Sequence, residues 1–161
     1  MTGFESNRHA GVGSASSGIR PRQATKADLR DVEALLQLCS IPVGGIHSEA
    51  VQFHVSRDKT GLLGCAGIEV FGDTVGLLRG IAVAERARRA GLAALLVSAL
   101  VADVRLRGIA TLVVGTKTAA GYFSRLGFTP VDRVAVPPGL LASREFDGAS
   151  FGDTPLLKAD L

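Results

Sequence analysis

The chain has no tryptophan, one tyrosine, one methionine and two cysteines among its 161 residues. Aromatic residues make up only 5% of it, too few for the stacking platforms that bind single-stranded nucleic acid. Neither sign of charge dominates: 18 Lys and Arg face 15 Asp and Glu, a net +3. That surplus attracts anions weakly and falls short of the dense basic stripe of a nucleic-acid-binding surface. No run reaches the roughly 18 consecutive apolar residues of a membrane span. The most apolar stretch, Gly91 to Val104, is shorter and flanked by arginines. No apolar signal core opens the chain, so the cytoplasm is the expected compartment and no membrane partner is expected. Cys39 and Cys65 form neither a CxxC pair nor a disulfide framework, and both read as small core residues. His9, His47 and His54 share no metal-ligand spacing, so no metal is expected. His54 reads as a strand surface residue, and no GxSxG nucleophile signature is present.

What the chain does have is apolar material. Hydrophobic residues are 47% and charged residues 20%, enough for one buried core in one domain. Residues 1–18 are rich in Ser and Gly and read as a flexible N-terminal tail before a domain at 19–161. Gly11-Val12-Gly13 in that tail lacks the third glycine and the preceding strand of a dinucleotide loop.

The pattern then alternates between sheet and helix. A short strand starts at Ile19 to Pro21, and Thr25 to Asp28 has the spacing of a capping box. Leu29, Val32, Leu35, Leu36 and Cys39 follow at helical spacing until Ser40-Ile41-Pro42. A helical turn is expected over His47 to Ala50, and a half-buried strand where Val51, Phe53 and Val55 alternate with Gln52, His54 and Ser56. Leu62 to Phe71 and Thr74 to Val83 read as an antiparallel pair joined by a two-residue loop, Gly72-Asp73. Leu92, Leu95, Leu96, Ala99, Leu100 and Leu106 mark one face of a helix that ends near Gly108. Ala110 to Val114 is a strand buried on both faces. A short helix capped by Thr118 runs through Leu126. Strands are expected over Phe128 to Val136 and Thr154 to Asp160, with a short helix over Leu140 to Phe146 between them.

The informative unit is a strand, a loop rich in arginine, and a helix. It reads Ile81-Ala82-Val83, then Arg86, Arg88 and Arg89, then Gly91-Leu92-Ala93. A helix N-terminus offers unpaired N–H groups and partial positive charge, and the small Gly91 and Ala93 let a phosphate approach the backbone. No Gly-Lys-Ser/Thr follows, which excludes a P-loop.

These residues resemble the GNAT superfamily of acetyl-CoA-dependent N-acetyltransferases. Arg88-Arg89-Ala90-Gly91-Leu92-Ala93 fits the family's phosphate motif Gln/Arg-x-x-Gly-x-Gly/Ala at every specified position. Ile81-Ala82-Val83 looks like its fourth-strand segment, and Tyr122 to Phe128 like its Y-x-x-x-GF segment. A narrower likeness, to the arsenic-resistance N-acetyltransferases, rests on Gly64 to Asp73, Leu77 to Ala84, Thr118 to Phe128 and Ser143-Arg-Glu-Phe146. Asp147 to Thr154 does not clearly match that branch.

The resemblance implies an α+β GNAT fold, a mixed, mostly antiparallel central sheet with helices on both faces. It implies that backbone N–H groups of Arg88, Arg89, Ala90, Gly91, Leu92 and Ala93 hold the pyrophosphate of CoA. Backbone groups of Ile81 and Val83 would pair with its pantetheine arm, and an N–H near Gly80 or Ile81 would face the thioester oxygen. The fourth and fifth strands would splay to admit acetyl-CoA. The family tyrosine that protonates the leaving thiolate falls at Phe123. Tyr122 stands one residue earlier, about 100° around the helix, and is either a proton donor or a packing residue.

Two charged residues stand out in the sheet. Glu69 is a candidate general base or water-positioning group, and Arg79 either anchors a substrate carboxylate or forms a structural ion pair. In an unbulged hairpin they face opposite sides, and a bulge near Gly80 changes that. Deprotonating a lysine-like amine at pH 7 costs about 4–5 kcal/mol and an α-amine about 1–2, so a weak base suits an α-amine. The reading is acetyl transfer to a small-molecule amine, an amino acid or amino-acid-like toxin. A non-catalytic acyl-CoA-binding module, a protein N-acetyltransferase and a homodimer stay open.

Overall fold

The computed structural model describes residues 20–146 and 154–161. The tail expected at 1–18, with Gly11-Val12-Gly13, lies outside them, as does 147–153. Seven strands form one sheet: β1 Arg22–Gln23, β2 Val51–Asp58, β3 Gly61–Phe71, β4 Val75–Val83, β5 Thr111–Gly115, β6 Thr129–Pro130 and β7 Leu156–Asp160. Their order is β1-β2-β3-β4-β5-β7-β6. Only β4 and β5 run parallel, because the connection between them is the long helix α2, Leu92–Leu106. The other helices are α1 Leu29–Leu38, α3 Ala120–Arg125 and α4 Pro138–Leu141.

Helices cover both faces. Val32, Leu35 and Leu36 of α1 pack on Val51, Phe53, Val55, Cys65 and Ala82. On the opposite face Leu92, Leu96, Val97, Leu100 and Val104 of α2 pack on Leu63, Ala66, Ile68, Leu78 and Leu112. A third cluster, Leu77, Val113, Val136, Leu140, Phe146 and Leu156, covers the far half of the sheet. The buried stripe of α2 differs from the expected one: Leu95 is half exposed and Leu106 is 89% exposed.

Several expected elements change. β2 is buried on both sides, with His54 at 7% and Ser56 at 1% exposure. His54 is therefore not a surface residue; it lies under α2, where burial and the Arg107 charge lower its pKa against the opposing pull of Asp103. His47 to Ala50 forms turns, not a helix. The strand expected over Phe128 to Val136 shrinks to β6, because a 3-10 turn over Arg133–Ala135 breaks it. Likewise the helix expected over Leu140 to Phe146 is two short pieces, α4 and a 3-10 turn over Arg144–Phe146. Thr118 does not cap α3: its N-cap is Ala119, with no side-chain cap, and Thr116 Oγ1 accepts the Ala119 N–H at 2.9 Å just before the helix. The capping box holds: Asp28 accepts the Thr25 N–H at 2.8 Å.

Candidate active site

The site begins where two strands part. Parallel pairing of β4 with β5 covers only Val75 to Leu77 against Thr111 to Val113. β5 keeps its partners on β7 through Gly115, while β4 runs on to Val83. A cleft of about 510 Å³ opens between them, lined by Leu78 to Ile81 on one side and Val114 to Ala119 on the other. Tyr122, Phe123 and Glu145 also line it, with Ser40 to Pro42 at its side.

A bulge shapes the β4 side. Cys65 pairs with Ala82 and Gly67 with Arg79, so Ala66 faces both Gly80 and Ile81. Gly80 has φ +61, and a Cβ there would lie 2.9 Å from the Phe53 ring. Only glycine meets both conditions. The Cys65 thiol, its pKa pushed up to about 12 by burial, donates to the Gly80 carbonyl at 3.3 Å. In a planar trans peptide the next N–H points the opposite way. The Ile81 N–H is therefore turned away from Cys65, on a residue that lines the cleft.

A second cavity, of about 330 Å³, lies at the start of α2 and is lined by Val83, Ala87 to Arg89 and Gly91 to Ala94. Gly91 occupies the N-cap with φ +75 and ψ 15, and no side chain caps the helix. The first-turn N–H groups thus have no intrahelical acceptor. Not all of the expected cradle is free, since the Arg88 N–H already bonds Glu85 O at 3.3 Å. Arg86 is also committed, to Asp58 through contacts of 2.7 and 3.0 Å. Arg88 braces the loop by donating to Val83 O at 3.0 Å, and Arg89, at φ +67, is exposed.

Tyr122 lines both cavities. Its hydroxyl is buried without a hydrogen-bond partner, and burial raises its pKa. Phe123 turns into the core, 5% exposed and edge-on to Tyr122 and Phe128.

Arg79 is the surprise in the sheet. Its side chain is fully inaccessible and contacts Glu69 at 3.3 Å and Glu145 at 3.3 Å. It also donates to Gly44 O at 2.5 Å. Its charge is met inside the protein, which leaves no free guanidinium to anchor a substrate carboxylate. Glu69 and Arg79 share a face of the sheet, and the hairpin loop is the reason. Phe71 pairs with Val75, so Gly72, Asp73 and Thr74 lie between the strands instead of the expected two residues. One extra residue flips the parity and sets Arg79 opposite Gly67. The bulge comes after Arg79 and does not cause the meeting.

Glu69 also accepts from Ser143 Oγ at 2.7 Å, and it does not line the cleft. Glu145 does. Its carboxyl is pushed up to about 7, by burial first and by the Glu69 charge, against the pull of Arg79. The sequence reading missed Glu145 as a functional candidate. It sits outside regular structure in Ser143-Arg-Glu-Phe146, and no periodicity signals that this turn meets β3 and β4.

Among the described residues no group of His, Cys, Asp and Glu could hold a metal ion, and no helix is long and apolar enough to cross a membrane. No curated protein matches the sequence. Solved structures do match by fold. N-acetylglutamate synthase from Neisseria gonorrhoeae, complexed with coenzyme A and N-acetyl-glutamate, has a TM-score of 0.73 and 20% identity over 89% of this chain. This chain spans only 35% of that protein. A Mycobacterium tuberculosis protein in complex with CoA and NLQ has a TM-score of 0.70 and 21% identity, covering 88% of this chain and 98% of its own. An aminoglycoside 6'-N-acetyltransferase complexed with coenzyme A has a TM-score of 0.64 and 16% identity, covering 87% and 96%. Identities this low establish the fold alone. The sequence itself matches the acetyltransferase (GNAT) domain over residues 49–130, half of its length. The chain belongs to the GNAT acetyltransferase family.

Proposed function

We propose that this GNAT acetyltransferase uses acetyl-CoA to acetylate the amine of a small molecule, by direct attack and without an acyl-enzyme intermediate. The observation that carries the reading is that the cleft and the cavity at the α2 N-terminus meet at Tyr122. A pyrophosphate at Arg89 to Ala93 and a thioester beside Ile81 are the two ends of one extended ligand. Ile81 and Val83 would pair with the arm between them, with Arg88 bracing the loop. The Ile81 N–H would stabilise the oxyanion as the thioester carbonyl becomes tetrahedral. Tyr122, kept protonated by burial, would stand beside the departing thiolate.

The cleft's size favours a compact acceptor. The likeness of Gly64 to Asp73 and Ser143 to Phe146 to arsenic-resistance acetyltransferases extends the proposal to amino acids and amino-acid-like toxins. A carboxylate on such an acceptor would not meet Arg79, whose charge is already faced by Glu69 and Glu145.

Gly91→Glu tests the donor site. The new side chain enters open space, with nothing within 4 Å of its Cβ, at a left-handed φ that costs about 1–2 kcal/mol. The fold should survive, while a carboxylate now faces the bound phosphates. Calorimetric titration should show acetyl-CoA affinity falling at least about hundredfold, the loss expected when a charge-assisted anion contact becomes a like-charge clash. Unchanged affinity in the folded variant would contradict the assignment.

A further inference from the structure

We infer that Glu145 is the general base that takes the proton from the acceptor's ammonium group, and that Arg79, held between Glu145 and Glu69, positions its carboxylate at the cleft wall. The inference rests on the acetyl-transfer reading and adds a residue to it. Three observations carry it. Glu145 lines the cleft beside Gly80, Ile81 and Tyr122, where the thioester is placed. Its Oε1 faces Arg79 Nε at 3.3 Å without a hydrogen bond between them, and the side chain keeps 13% of its surface exposed. Glu69 Oε1, by contrast, is held by Ser143 Oγ and Arg79 Nη1.

The charge balance explains the basicity. Arg79 on β4 faces Glu69 on β3 and Glu145 on the turn after α4, one cation between two carboxylates. Tyr122 and Lys117 are the other titratable groups on the cleft wall. With both carboxylates ionised the cluster carries one uncompensated negative charge in a buried place. That state attracts an incoming ammonium and holds a proton well. Burial and the Glu69 charge push the carboxyl up to about 7 against the pull of Arg79, toward working pH, where a base is most effective.

The protons balance. The ammonium gives one proton to Glu145, and the neutral amine attacks the thioester carbonyl. The tetrahedral adduct collapses with cleavage of the C–S bond. The second nitrogen proton ends on the CoA sulfur, and Glu145 returns the first to solvent.

The test is the pH profile of kcat/KM for an α-amine acceptor in wild type, Glu145→Gln and Glu69→Gln. Wild type should show a rising limb with an apparent pKa of about 7. Glu145→Gln should lose that limb and about a hundredfold or more in rate near neutrality, recovering only as the amine deprotonates itself. Glu69→Gln relieves the repulsion on Glu145, so its limb should remain and move to lower pH. If Glu145→Gln retains the limb and Glu69→Gln loses it, Glu69 is the base and the inference falls.

A second readout does not need turnover. A carboxyl whose folded pKa lies above its unfolded value destabilises the fold as pH rises through that interval. Glu145→Gln should therefore gain stability relative to wild type as pH rises from about 4.5 to about 7 in denaturant unfolding. Parallel curves overturn the base assignment even where acetyl-CoA binds. A diverging pair without acetyl-CoA binding overturns the acetyltransferase reading alone.

Discussion

Tyr122 and Phe123 divide the work that one aromatic position performs in the family resemblance. One residue of offset on α3 turns Phe123 into the core, against Phe128, and leaves Tyr122 at the junction of the two cavities. The hydroxyl has no internal partner, which frees it for a ligand atom. The leaving thiol has a pKa near 8.5, so a thiolate is tolerable near neutral pH and an acid is helpful without being essential. Tyr122→Phe should lower kcat by less than about tenfold, against the 10²–10⁴ that general acid catalysis typically supplies. Steady-state kinetics decide, and a loss of several hundredfold at unchanged KM would make Tyr122 the indispensable acid. Arg79 shows the opposite limit of residue-level reading. A lone arginine in an apolar strand announces that a partner exists, but whether the partner is substrate or protein depends on side-chain parity. Parity was one loop residue away from the expected value, and Glu145 came from a turn with no periodic signal.

At the scale of elements, the strongly periodic ones were legible. α1, α2, β3 and β4 follow directly from their apolar spacing and from glycine and proline at their ends. Short elements were not. One edge of the sheet, β6, has only two residues, and the chain after it is held by tertiary packing of Val136, Leu140 and Phe146 with Leu77. Burial of His54 likewise comes from α2 lying across β2, a contact invisible in the local alternation. The best-anchored joint is the entry to α1. Asp28, its side chain 6% exposed, accepts from Arg22 at 2.8 and 3.1 Å and from Arg57 at 3.0 Å. It also accepts from the Thr25 N–H. These partners hold the Asp28 carboxyl well below its usual range, the Arg22 hydrogen bond most of all. A depressed carboxyl pKa stabilises the fold above the unfolded value near 4 and loses that contribution as pH falls toward the folded value. Asp28→Asn should therefore cost about 1–3 kcal/mol at pH 7, discounted for the exposed Arg22 side of the cluster. Its stability should also depend less on pH in the acid range. Urea unfolding at neutral and acid pH measures both, and equal stability of the two proteins at pH 7 would remove Asp28 from the account.

At the scale of the molecule, a seven-strand sheet with one parallel junction determines where chemistry can occur. Antiparallel neighbours stay zipped along their length. The parallel pair parts after Leu77, where β4 runs on to Val83 while β5 keeps pairing with β7 alone. Hydrogen-bonding groups of β4 beyond that point face a cleft instead of a strand, and the uncapped start of α2 lies at the end of the same strand. The loop proposed to bind the donor stands out in the sequence because its chemistry is local, a run of small residues and arginines at a helix start. The proposed acceptor side does not, because it would assemble from β3, β4, the turn at Glu145 and the loop after β5. The central claim is that acetyl-CoA spans from the α2 N-terminus to the Ile81 bulge. Amide chemical shifts recorded during an acetyl-CoA titration test it most directly. The account predicts that the N–H resonances of Ile81, Val83 and Arg89 to Ala93 move together, saturating with one affinity, while those of β1 and β2 stay fixed. Shifts confined to other surfaces, with Ile81 and Gly91 unmoved at saturation, would contradict it.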